Sequence, residues 1–382
     1  MHFELIAKTF KGLEPVLANE LRALGAGDIR EQRRAVAFTG DMRMLYRANY
    51  CLRTASRVLV PIDTFQAHDA DTVYEKAKHI DWSLFMSSDT SFTIDATVYS
   101  DTFRHSRYVT YRVKDAITDY WREKAGIRPS VQLTAPDLYI NVHIADTQVT
   151  VSLDSSGESL HKRGYRVANT EAPISEALAA GLIMLTGWHG QSDFYDPMCG
   201  SGTLPIEAAL IAQNIPPGIF RKQFAFERWH DFQKDIFEEI TSDDSQEHDF
   251  THHIYGSDAG YYAIQAAERN IKQAGVHKNI SLRQIRIQEL RDIHADKALV
   301  MLNPPYGERL AQNKDVLQLY ADIGSCLKHQ FQGATAWIIS ANEDALKHIG
   351  LKPSKRIPLL NGELPCHFNK YELFAGKRTE RK

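Results

Sequence analysis

The sequence predicts an α/β protein whose second half is a mostly parallel sheet with helices on both faces, preceded by smaller α+β units. From Ala177 onward, apolar runs of strand length alternate with segments of helical spacing, as expected for strands buried on both faces. Before that point the strands are shorter and alternate apolar with polar residues, as in half-exposed sheets. The longest uncharged apolar run, residues 177–188, is too short to span a bilayer, so no membrane role is expected.

Near the start, "HFELIAKTF" alternates like a short strand. "GLEPVLANELRALG" then sets Leu13, Val16, Leu17, Leu21 and Leu24 at helical spacing, with Gly25 as its stop. "AVAFTG" reads as a strand and "MRMLYRANYCLRTASRV" as a helix, closing a small α+β unit near Arg57. A second unit follows: the strand "VLVPIDTF", a helix over 71–79, the strand "SFTIDATV" and the helix "VTYRVKDAITDYWREK". It ends in a hairpin, "LYINVHIADTQVTVSLDSS", turning at Ala145-Asp146-Thr147. The second half reads as helix 175–185, strand "SDFYDP", helix 203–214, strand "HHIYGSD", helix 261–274 and strand "ISLRQI". Strand "ALVMLNPPY", helix 316–330 and strand "ATAWIIS" complete it, and the polar "TSDDSQEHDFTHH" reads as a loop.

The 382 residues allow two or three domains. The opening segment carries Glu4 and no long apolar core, so it is not read as a signal peptide. Cys51, Cys199, Cys326 and Cys366 are scattered, which suggests neither disulfides nor zinc and fits a reducing cytoplasm. The formal net charge of -3 argues against a nucleic-acid partner, but the sign is uneven. Arginines crowd residues 30–57, a second basic group follows from Arg104 to Arg128, and acids collect between Glu227 and Asp258. A basic first half is compatible with RNA, and solvated helix faces are the plainer account.

Three strand ends carry chemistry, at the carboxyl edge where parallel sheets bind ligands. In "FYDPMCGSGTLPIEAA", Asp196 is followed by Gly200, Ser201 and Gly202 and then a helix, so backbone N–H groups can approach a ligand closely. No Gly-Lys-Ser/Thr follows, and Pro205 stands where a dinucleotide loop has its third glycine. The pattern suits a nucleoside whose methionine-like tail offers an amine to Asp196. In "IYGSDAG", Asp258 ends the next strand, where an acid can accept from both ribose hydroxyls; alone it would as readily cap the following helix.

The third end is "ALVMLNPPYGERL". Two prolines stop an apolar strand and leave an amide, a stiff backbone and an aromatic ring. An exocyclic amine on a base is a poor nucleophile because its lone pair is delocalised. The Asn303 side-chain oxygen and the Pro304 carbonyl can accept its N–H bonds and hold the nitrogen in line with an electrophilic methyl group. Pro305 fixes the turn, and Tyr306 offers a face for stacking, worth roughly 1–3 kcal/mol per base. This stretch alone specifies an amine on a planar base and does not choose among adenine, cytosine and guanine.

Asp196-Pro-Met-Cys-Gly-Ser-Gly-Thr, Asp258 and Asn303-Pro-Pro-Tyr-Gly-Glu-Arg resemble motifs I, II and IV of class I S-adenosylmethionine-dependent amino-methyltransferases. "GLEPVLANELRALG" and "SLDSSGESLHKRGYR" are similar to segments of THUMP-containing RNA methyltransferases, and the RlmL-type 23S rRNA guanine-N2 enzymes match over nearly the whole chain. The resemblance implies a ferredoxin-like domain over 1–57, a THUMP RNA-binding domain over 58–157 and a Rossmann-like, seven-stranded methyltransferase domain over 158–382. It implies S-adenosylmethionine held by Asp196, Pro197, Gly200, Ser201, Gly202, Thr203 and Asp258, with Pro173 in "EAPISEALAAG" packing over it and Asn303 where cofactor and base meet. Asn303, Pro304, Pro305 and Tyr306 become the catalytic set. "NGELPCHFNKYELFAGK" is similar to the family's last hairpin. One departure stands out. The family's third strand usually ends near an acid that reads the adenine amino group; "LRQIRIQEL" offers Arg286 or Gln288 instead, and Gln288 is expected to accept that bond through its amide oxygen. The second methyltransferase domain of RlmL-type proteins does not lie within these 382 residues.

RNA contacts are expected at Arg104, Arg107, Arg112, Arg163, Arg166 and Arg309. Cys199 reads as a small loop residue, because the exocyclic amine can attack without a covalent nucleophile. His248, His252 and His253 sit in a polar loop, and no metal is expected. Tyr111 and Trp121 read as core, with base stacking as the other reading. The strand-end motifs together with the resemblance therefore imply a methyltransferase acting on guanine N2 in RNA, 23S rRNA before tRNA. An adenine-N6 DNA enzyme and a non-catalytic RNA-binding factor are the alternatives.

Overall fold

A computed structural model describes residues 2–103, 106–170, 173–307 and 313–374, and the chain divides into two compact units. The first gathers Met1–Thr9, Ala18–Leu160 and Arg221–Asp243; the second gathers Phe10–Leu17, His161–Phe220 and Asp244–Lys382. Among the described residues no helix is long and apolar enough to cross a membrane.

The first half runs β1 (Phe3–Lys8), α1 (Glu14–Leu24), β2 (Gly27–Gln32), β3 (Ala35–Gly40), α2 (Met42–Cys51) and β4 (Arg57–Gln66). It continues with α3 (Ala70–Lys78), β5 (Phe92–Tyr99), α4 (Ser106–Ala125), β6 (Leu138–Ala145) and β7 (Gln148–Asp154). The strands form one sheet in the order β2-β3-β1-β4-β7-β6-β5. The β6–β7 turn falls where expected: Ala145 pairs with Gln148, and Asp146 takes a φ of 54°. Two expectations change. The helix read from Met42 to Val58 stops at Cys51, because the Glu20 carboxylate accepts the Arg53 and Thr54 N–H groups and the Thr54 hydroxyl. Val58 then pairs with Ala7 in the sheet. The second change is β2, a strand not expected from the sequence: its residues are nearly all exposed, so it has no apolar alternation to detect.

Val109, Val113, Ile117 and Trp121 of α4 are buried against Ile140, Val142, Val149 and Val151 of the sheet, each contributing about 1.5–3 kcal/mol on burial. Trp121 is core, as expected. Tyr111 is 53% exposed and is not.

The second unit contains α5 (Glu176–Leu185), β8 (Phe194–Asp196) and α6 (Thr203–Ala212). Next along the chain comes α7 (Lys234–Ser242), which belongs to the first unit. The second unit resumes with β9 (Ile254–Asp258), α8 (Tyr261–Gln273), β10 (Ile280–Gln284), β11 (Leu299–Leu302) and α9 (Asn313–Gln330). It closes with β12 (Thr335–Ser340), α10 (Glu343–Lys347) and the hairpin β13 (Lys355–Asn361) and β14 (Leu364–Glu372). The sheet order is β10-β9-β8-β11-β12-β14-β13; β14 runs antiparallel to β12 and to β13, and the other pairs are parallel. Both faces are covered. Leu299 and Met301 enter one core with Leu178, Leu182, Ile206 and Ile271, while Val300 and Leu302 enter another with Tyr320, Ile323 and Leu346. Strand order reverses between β8 and β11, so a crevice opens at the carboxyl ends of those two strands.

The segment holding α7 was not anticipated. Phe226, Phe232 and Phe237 surround Tyr46 of α2 at centroid distances of 4.6, 5.7 and 5.8 Å. The Tyr46 hydroxyl accepts the Gln233 N–H at 2.9 Å, and Arg43 pairs with Glu239.

Candidate active site

The crevice between β8 and β11 is a cavity of about 710 Å³, within the usual size of small-ligand sites. Asp196 ends β8 with 1% of its surface exposed. Its carboxylate accepts the Met198 N–H at 3.2 Å. Burial, reinforced by the nearby Asp258 charge, pushes its carboxyl well above the usual range. A buried acid with so little compensation is poised for a cationic partner.

Asp258 ends β9, half-buried, and its two oxygens accept the Gly200 N–H at 3.0 Å and the Gly260 N–H at 2.8 Å. It therefore pins the glycine loop to the start of α8, where Gly260 occupies the cap position. Gly200 has a φ of 54°, and among the described residues a Cβ there would meet only Thr170 Oγ1, at 3.8 Å. The backbone thus faces open cavity where a ligand can approach. Gly202 has a different task. Its φ is 84°, and a Cβ would lie 3.2 Å from that of Ala267, so the glycine lets the loop close on α8.

Asn303, Pro304, Pro305 and Tyr306 follow β11 and line the same cavity as the loop from β8. The Tyr306 hydroxyl donates to Asn303 Oδ1 at 2.8 Å. The Asn361 amide donates to that hydroxyl at 3.2 Å, and the Asn342 amide donates to the Tyr306 carbonyl at 2.9 Å. Burial pushes ionisation of the Tyr306 hydroxyl far up, so it stays a proton donor.

Of the other expected cofactor residues, Pro173, Ser201 and Thr203 reach the cavity. Pro197 is buried in the turn after β8 and does not line the cavity. Gln288 is not brought there: it is exposed and donates to Asp322 at 2.8 Å. Cys199 lines the cavity as a buried thiol whose ionisation is pushed well up, chiefly by desolvation, in keeping with a non-nucleophilic loop residue. Sequence reading missed Asn361 and Leu364, which the β13–β14 hairpin carries to the cavity lining; nothing local to them signals it.

The expected RNA contacts scatter. Arg104 and Arg309 lie outside the described residues. Arg107 is exposed on α4, whereas Arg112 pairs with Asp71 at 2.7 Å and stacks over Tyr74. Arg163 and Arg166 require correction. Arg163 is 1% exposed, with Nε 3.5 Å from a Glu207 oxygen. Arg166 pairs with Glu176 at 3.0 Å and donates to the Ile174 carbonyl and the Thr203 hydroxyl. Both are held inside the second unit, and Arg166 braces the start of α6 beneath the glycine loop.

The arrangement around Asp196 makes a prediction about stability. A carboxyl whose folded pKa is raised binds its proton more tightly folded than unfolded. Its presence therefore costs stability increasingly as pH rises above the unfolded value of about 3.9. Asp196→Asn should raise the melting temperature of the ligand-free protein at pH 8 and hardly change it at pH 4. Thermal melts at both pH values check this; an unchanged or lower melting temperature at pH 8 would count against it.

The family model described as "RMKL-like, methyltransferase domain" matches residues 163–370. An RlmL ferredoxin-like domain matches 4–59 and a THUMP domain 67–154. "Putative RNA methyltransferase slr0064" of Synechocystis sp. is 39% identical over 370 residues, 96% of each chain. "Ribosomal RNA large subunit methyltransferase K/L" of Syntrophotalea carbinolica is 37% identical over 374 residues, covering 95% of this chain and 52% of that protein. The chain thus spans about half the length of the relatives so named. The structure of "SMU.472, a putative methyltransferase complexed with SAH" superposes with a TM-score of 0.88 at 29% identity, over 98% of this chain and 99% of that one. With a full-length relative at 39% identity and the catalytic-domain model covering 163–370, the chain belongs to the RMKL-like methyltransferase family, with an RlmL ferredoxin-like domain and a THUMP domain ahead of the catalytic one.

Proposed function

We propose that this protein methylates the exocyclic N2 of a guanine in RNA, with 23S rRNA as the substrate and S-adenosylmethionine as the methyl donor. The observation that carries the reading is the single cavity shared by the glycine loop, Asp196, Asp258 and the Asn303-Pro304-Pro305-Tyr306 turn. The open backbone at Gly200 and the poorly compensated Asp196 carboxyl fit a ligand with an ammonium tail. When bound, S-adenosylmethionine supplies an electrophilic methyl carbon.

The residues of this chain do the positioning. Asp196 takes the ligand's amine, Gly200 and its loop line the ligand's path, and Asp258 holds that loop in shape. In the same cavity, Asn303 Oδ1 and the Pro304 carbonyl accept the N–H bonds of the target amine and turn its lone pair toward the methyl carbon. The proton shed by the nitrogen passes to solvent. A paired guanine must first leave its helix, at a cost of a few kcal/mol.

RNA as substrate is supported by the THUMP match, by the relatives' names and by exposed Arg107, Tyr108 and Tyr111 on α4. The domain limits 1–57, 58–157 and 158–382 belong to the same reading. Nucleoside mass spectrometry of rRNA and tRNA from a strain lacking the gene is the test. Loss of N2-methylguanosine from 23S rRNA is expected; loss from tRNA alone would move the substrate, and unchanged rRNA and tRNA would refute the proposal.

A further inference from the structure

The hydroxyl of Tyr306 is held from outside its own turn. Asn361, the last residue of β13, donates from Nδ2 to Tyr306 Oη at 3.2 Å, and that hydroxyl donates to Asn303 Oδ1 at 2.8 Å. Asn342, at the N-cap of α10, fixes the same turn by donating to the Tyr306 carbonyl at 2.9 Å. All four side chains belong to the second unit, and Asn303, Tyr306 and Asn361 line the cavity.

A phenol hydroxyl carries one proton. With an amide N–H of Asn361 on its lone pair, that proton points elsewhere, toward Asn303 Oδ1 or toward the Cys366 sulfur, the other group hydrogen-bonded to the hydroxyl. The two ends of an asparagine amide are alike in size, so packing alone does not choose between oxygen and NH2. A hydroxyl proton aimed at the amide does choose. It favours the oxygen, since the flipped amide would set donor against donor. The selected oxygen keeps a second lone pair for an N–H of the target base, and a chain of donors running one way strengthens each link. The Cys366 sulfur also lies beside the hydroxyl, but sulfur is a weak acceptor beside an amide oxygen.

We propose that Asn361 is a positioning residue for methyl transfer, which acts through the Tyr306 hydroxyl to keep the Asn303 oxygen available to the target amine. This rests on the reading that Asn303 accepts from that amine. It predicts an effect on turnover and none on cofactor affinity.

The experiment is a double-mutant cycle of Asn361→Ala and Tyr306→Phe, with Asn361→Asp as an isosteric reversal of the donor. Turnover and KM for RNA would be measured together with S-adenosylhomocysteine affinity by calorimetry and thermal unfolding. Asn361→Ala should lower kcat about tenfold, the usual order for one lost hydrogen bond, with cofactor affinity and melting temperature near wild type. Asn361→Asp should lower it further, because a carboxylate there accepts the hydroxyl proton and draws it from Asn303. In the Tyr306→Phe background, Asn361→Ala should have no added effect. Equal losses in both backgrounds, or wild-type turnover in Asn361→Asp, would overturn the inference while the proposed function stands. A wild-type protein that methylates no RNA would overturn both.

Discussion

Asn303→Ala should reduce methyl transfer by roughly a hundredfold or more, the scale of loss that a misplacement of about 1 Å produces, while S-adenosylhomocysteine binds nearly as well as to wild type. The two effects separate because they sit on different strands. The groups read as holding the cofactor follow β8 and β9, and Asp258 fixes their loop through Gly200. Asn303 follows β11 and is tied to Tyr306 and, through it, to Asn361. Truncation removes the side-chain acceptor proposed for the target amine and takes from the Tyr306 hydroxyl its amide acceptor, so orientation and rigidity both suffer. Single-turnover rates with labelled S-adenosylmethionine and calorimetry on the same sample give the answer. A variant that keeps its rate would show that the Pro304 carbonyl suffices. One that loses cofactor affinity in proportion to rate would make Asn303 a cofactor residue first.

What was legible in the sequence follows from the range of the interactions involved. The parallel strands are short apolar runs with turn residues at their carboxyl ends, and Asp196, Asp258 and Asn303, which line the cavity, stand at those ends and are visible locally. Gly200 was legible for the same reason. Gln288 rests only on its offset along the chain, and its amide, in the 3-10 turn Ile287–Glu289, donates to Asp322 instead of lining the cavity. The aromatic segment around Phe226 and Phe237 resisted reading because its partner, Tyr46, lies about 180 residues earlier. Asn361 was invisible for a related reason: its role exists only once the terminal hairpin brings it to Tyr306. Arginine presented a different ambiguity. Its charge suggests a nucleic-acid face, yet the same side chain is the one best suited to a buried pair, and sequence alone does not distinguish the two.

Arg163 illustrates that choice, and its replacement should be among the most damaging to stability. Arg163→Ala is expected to cost about 3–5 kcal/mol, because it leaves the fully buried Glu207 carboxylate without its cationic neighbour. Glu207 stands on α6, the helix that follows the glycine loop, and also accepts the Tyr165 hydroxyl at 2.9 Å. That one neutral bond does not replace a guanidinium in a site with no access to water. Urea denaturation of wild type and variant measures the loss directly. Removing both charges, as Arg163→Met with Glu207→Leu, should recover much of it, since neither partner then remains buried and uncompensated. The RNA reading of Arg163 makes the opposite forecast. Truncating a surface arginine that binds a phosphate would leave stability unchanged and reduce the salt dependence of RNA binding by about one unit of slope. A large shift in the urea midpoint with an unaltered salt slope for RNA would assign Arg163 to the fold; an unaltered midpoint with a shallower slope would return it to the RNA.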